Sequence, residues 1–66
     1  MTNKQAWKLR TDDKLRWIAD GTLGEITEMH LEHGRAYWFN VKWTDGQVNQ
    51  YMPGRVSDVE YLEKVS

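Results

Sequence analysis

Residues 35–52 read R-A-Y-W-F-N-V-K-W-T-D-G-Q-V-N-Q-Y-M, two alternating stretches joined by Asp45-Gly46. A two-residue Asp-Gly loop is a strong hairpin signal, because both residues tolerate the positive φ that a type I′ turn demands. Such a turn pairs Thr44 with Gln47, which sets Trp43 opposite Val48, Val41 opposite Gln50 and Phe39 opposite Met52. Tyr37, Phe39, Val41, Trp43, Val48 and Met52 then share a core face. Trp38 points the other way, among Asn40, Lys42, Thr44, Gln47, Asn49 and Tyr51. A tryptophan on a solvent face forgoes roughly 2–3 kcal/mol of burial and so needs a reason. It serves a partner surface, or it is covered by the N-terminal arm (Trp7 in particular) or by a second copy of the chain.

Working outward, the whole chain is 66 residues, which is one domain with a small core. It has no cysteine, so neither a disulfide nor a thiolate metal site staples it, and four Trp, three Tyr and one Phe must supply the burial. The N-terminus lacks the apolar stretch of a signal peptide, and no run is long enough to span a bilayer, which sets the expectation of a cytoplasmic protein. Net charge is −1 but unevenly placed. Up to residue 19, Lys4, Lys8, Arg10, Lys14 and Arg16 outweigh Asp12 and Asp13, leaving a surplus of three positive charges. Beyond it, four basic residues face eight acidic ones. A basic arm over residues 1–12 and a barrel over residues 13–66 are the expected organisation.

Thr2 or Asn3 can cap a short helix through Ala6, Trp7 and Arg10, while Trp7 and Leu9 also alternate as in a strand. Thr11-Asp12-Asp13 is a turn, Leu15-Arg16-Trp17-Ile18 a short strand, and Ala19-Asp20-Gly21 the next turn. Leu23 to Leu31 is the second strand. Met29 and Leu31 fall out of phase with Ile26, which predicts a bulge or bend near Thr27-Glu28. Glu32-His33-Gly34 leads into the hairpin, Pro53-Gly54 ends its second strand, Arg55 to Asp58 has the length of one 3₁₀ turn, and Val59 to Val65 holds a last strand. Five short strands with one helical turn and an arm predict an all-β, strongly bent small barrel.

The series D-K-L-R-W, D-G-x-L-G-x-I, V-K-W-T-D-G and Y-M-P-G resembles the SH3-like barrels of the Tudor and KOW type over residues 13–63. It is similar also to small bacterial domains that share a G-x-I strand, a V-x-W-x-D-G hairpin and a following P-G. The resemblance implies a binding module for peptides, modified side chains or nucleic acids, and it sets Trp17 and Tyr37 at the positions of an aromatic cage. Val48-Asn49-Gln50-Tyr51-Met52-Pro53 also resembles the pore strand of the plasmid-borne type II dihydrofolate reductases. In that family Gln and Tyr are two apart and share a face; here they are adjacent and lie on opposite faces.

His30 and His33, with Glu28 and Glu32, sit at a strand end and turn and lack a third strong ligand, so no metal site is expected. Ser57 and Ser66 stand in no activating motif, and no phosphate loop or zinc spacing occurs. The expectation is therefore a non-catalytic module without cofactor. It recognises a protein or peptide partner through Trp38, Asn40, Lys42, Asn49 and Tyr51, as a monomer or homodimer. The alternative is single-stranded nucleic-acid binding by the basic arm and aromatic stacking, and a remote one is a reductase-like oligomer.

Overall fold

A computed structural model describes residues 1–65. Five antiparallel strands form one sheet: β1 (Lys14–Trp17), β2 (Leu23–Glu32), β3 (Arg35–Trp43), β4 (Val48–Tyr51) and β5 (Leu62–Val65), in the order β4-β3-β2-β1-β5. Two short helices complete it, α1 (Asn3–Trp7) ahead of β1 and α2 (Val56–Val59) between β4 and β5. The all-β class expected from the alternation is what the chain adopts.

The core lies on one face of the sheet, where Leu15, Ile26, Phe39, Val41, Trp43 and Leu62 are buried together with Val59 of α2. β2 carries an extra residue at Thr27: Ile26 pairs with Val41 and Glu28 with Asn40, so the inward phase passes from Ile26 to Met29. A second irregularity places Tyr37 between the pairs His30–Trp38 and Leu31–Ala36. That shift buries Ala36 and leaves Tyr37 50% exposed, so Tyr37 is not a core residue.

The N-terminal segment belongs to the same core. Thr2 caps α1 with its side chain on the Gln5 N–H, while Gln5 reaches back to the Thr2 N–H, a capping box that satisfies two helix-end donors. Ala6 and Leu9 are fully buried, while Trp7 is only half-buried, with the Arg35 guanidinium 4.7 Å from its ring centre. Asn3 donates to the Pro53 carbonyl at 2.6 Å, and the Met1 ammonium donates to the carbonyls of Val59 and Leu62. The turn before the last strand is α-helical rather than 3₁₀, with the Glu60 N–H donating to the Val56 carbonyl.

The hairpin differs from its expected register by one residue. Lys42 pairs with Val48, Val41 with Asn49, Asn40 with Gln50 and Phe39 with Tyr51. The Trp43 N–H donates to the Gln47 carbonyl at 2.8 Å, which leaves a three-residue loop, Thr44 to Gly46. Only Gly46 has positive φ there (93°); Asp45 does not, and its carboxylate instead accepts from the Gln47 N–H. A type I turn closed by a left-handed glycine is the three-residue hairpin form. Thr44 meanwhile donates its N–H to Leu23, so it continues the β2 ladder and is unavailable to Gln47. The two-residue turn occurs at the other hairpin, where His33 (φ 53°) and Gly34 (φ 76°) join Glu32 to Arg35.

Candidate functional site: an aromatic groove with an acidic rim

The register decides which side chains meet. Because β4 is shifted by one, Gln47, Asn49 and Tyr51 turn toward the core face, and Val48 is left 58% exposed on the outer one. A valine left exposed while the exposed amides of Gln47 and Asn49 take the core-side face is not an arrangement optimised for burial alone. Those amides line a groove of about 200 Å³ together with Trp17, Trp43, Tyr51, Asp20, Thr22 and Asp45.

Aromatic rings form the walls. Trp43, only 6% exposed, stands edge-on to both Trp17 (centroids 6.2 Å apart) and Tyr51 (6.4 Å). Tyr51 is braced on Phe39, and Trp17 leans on Tyr61. Gly24 makes this packing possible, since a Cβ there falls 2.5 Å from the Trp43 ring and 2.7 Å from Val41. Burial raises the Tyr51 phenol pKa, and the nearby Asp58 carboxylate pushes the same way against the Trp43 side chain, so the wall stays neutral over the physiological range.

Two turns supply the rim. Asp20 accepts from the Thr22 N–H at 2.9 Å, and hydrogen bonds from Thr22 hold its carboxyl below the usual range and therefore ionised. Asp45 accepts from the Gln47 N–H at 3.0 Å. Neither carboxylate is in an ion pair among the described residues. Aromatic faces beside two fixed negative charges can take a cationic side chain, and the Gln47 and Asn49 amides can meet a peptide backbone.

The seven residues singled out from the sequence are divided among three places. Asn49, Tyr51 and Trp17 lie in the groove. Trp38, Asn40 and Lys42 stay on the outer face, so the expected single patch with Asn49 and Tyr51 does not form; the one-residue register change separates them. Trp38 is half-buried there by His30, its cross-strand partner, with the rings stacked at 6.1 Å, and Asn40 donates to Glu28. Tyr37 stands at the β2–β3 end, edge-on to His30, so it and Trp17 do not close a cage. Trp43, Asp20 and Asp45 were not singled out. The missed signal is the three-residue form of the Asp45-Gly46 turn, which carries Asp45 and the β4 amides to this face.

Among the described residues, no group of three or more His, Cys, Asp or Glu side chains is placed to hold a metal ion, and no helix is long and apolar enough to cross a membrane. Comparison with protein-family models, curated proteins and solved structures returns no match.

Proposed function

We propose that the chain is a non-catalytic, SH3-like binding module that recognises a protein or peptide partner through the groove between the β1–β2 turn and the β3–β4 hairpin. The observation that carries this reading is the hairpin register, which exposes Val48 while turning Gln47, Asn49 and Tyr51 into a groove walled by Trp17 and Trp43. Asp20 and Asp45 select for positive charge, so the favoured partner presents an arginine or lysine side chain there. Trp17 and Tyr51 flank it, and the amides of Gln47 and Asn49 bind the neighbouring peptide groups. The groove holds neither a serine nor a histidine, and both rim carboxylates are engaged by turn amides, an arrangement suited to recognition rather than to proton transfer.

A peptide array that varies one central position among arginine, lysine, norleucine, glutamine and glutamate tests the proposal. Retention of the basic peptides, weakened about tenfold by Asp45→Asn and by Trp17→Ala but unaffected by Trp38→Ala, is expected. Equal retention of norleucine and arginine peptides, or loss of binding on Trp38→Ala alone, rules it out.

A further inference from the structure

At the other end of β3 from the groove, charge of the opposite sign is gathered around Trp7. Lys4, Lys8, Arg10 and Arg35 line one concavity of about 300 Å³ with Trp7 and Gly34. A neighbouring concavity shares Trp7 and Arg35 and adds His33, Tyr37 and one carboxylate, Glu32. None of these four cations is in an ion pair among the described residues. Two of them are held in place. The Arg10 guanidinium donates to the carbonyls of Trp7, Leu9 and Gly34, at 3.2, 2.7 and 3.0 Å, and Arg35 lies over the Trp7 ring at 4.7 Å. With Arg10 committed to the backbone, Lys4, Lys8 and Arg35 are the charges left for a ligand. Beside them Tyr37 is half exposed and Trp7 partly so.

We infer that this surface binds single-stranded nucleic acid, with Lys4, Lys8 and Arg35 on successive phosphates and Tyr37 as a platform for an unpaired base. Convergent unpaired cations alone fit any polyanion. The half-exposed Tyr37 ring beside these cations is what favours a strand with free bases, since base stacking on an aromatic face does not depend on sequence. A duplex offers no such base. The groove at the far end carries charge of the wrong sign to hold a polyanion itself.

The test is fluorescence anisotropy of a labelled oligothymidylate of about 12 nucleotides. Three phosphate contacts give a slope of log affinity against log salt near −2, so raising salt from about 50 to about 200 mM weakens binding about 20-fold. Changing Lys4 and Lys8 together to glutamine, both exposed and outside the core, flattens the slope to about −0.7. Tyr37→Ala weakens binding about tenfold and leaves the slope unchanged. Absence of binding at the lower salt overturns the inference. So does equal competition by poly-glutamate or by a duplex of the same length, or an affinity indifferent to Lys4, Lys8 and Tyr37. Asp45→Asn, which tests the groove, leaves this affinity unaltered, so the two sites succeed or fail separately.

Discussion

At the scale of single residues, the groove depends on a missing atom. The Trp43 ring occupies the space over Gly24, so Gly24→Ala forces a Cβ into contact with the ring and with the Val41 side chain. Overpacking of this kind costs about 1–3 kcal/mol, and denaturant unfolding should show it as a lowered midpoint at unchanged slope. The tryptophans separate by depth. Trp43→Ala removes a nearly fully buried ring and should cost about 3–5 kcal/mol, whereas Trp38→Ala, on the outer face against His30, should lower stability by a smaller amount. Tyr51 makes a pH-dependent contribution. Its folded-state pKa lies above the ordinary value of 10.0, so the folded state holds its proton longer than the unfolded one does. Stability is therefore full below that value and falls as pH rises through it; Tyr51→Phe should remove the alkaline loss, read by unfolding at several pH values.

Among the elements, the N-terminal segment is structural rather than an appended arm. Leu9 is 1% exposed inside a core shared with Leu15 and Leu62, and Leu9→Ala should cost about 2–5 kcal/mol in thermal or denaturant unfolding. Strand number, the bulge near Thr27 and the stop at Pro53 were legible, because alternation, phase slips and proline each act through the residues that display them. The register of β4 was not. Asp45-Gly46 suits both a two-residue and a three-residue loop, and the choice is made by Thr44, whose N–H is taken by Leu23 on a strand remote in sequence. The expected site was scattered for the same reason, since every face assignment along β4 inherits the turn. Tyr37 escaped because its bulge leaves no mark in the alternation. Gly46→Ala places a side chain at φ 93° and should destabilise by about 1–3 kcal/mol, more than the same change at Gly54, which has no positive φ.

Over the whole molecule, β3 separates two ends of opposite charge. Arg35 and Trp43 are eight steps apart on one strand, about 26 Å, well beyond the distance over which exposed charges act at physiological salt. Substituting Asp20 or Asp45 should therefore change oligothymidylate affinity less than twofold at about 0.15 M salt, and substituting Lys4 or Lys8 should leave capture of basic peptides intact. One hairpin turn governs only one of these ends. The Asp45-Gly46 pair also suits the two-residue turn. Were β4 to slide by a single position, Val48, Gln50 and Met52 would replace Gln47, Asn49 and Tyr51 along the groove, with no lining residue mutated and the basic end untouched. Selection acting on a loop can thus rewrite a recognition surface wholesale, a shorter evolutionary path to a new partner than replacing its contacts one at a time.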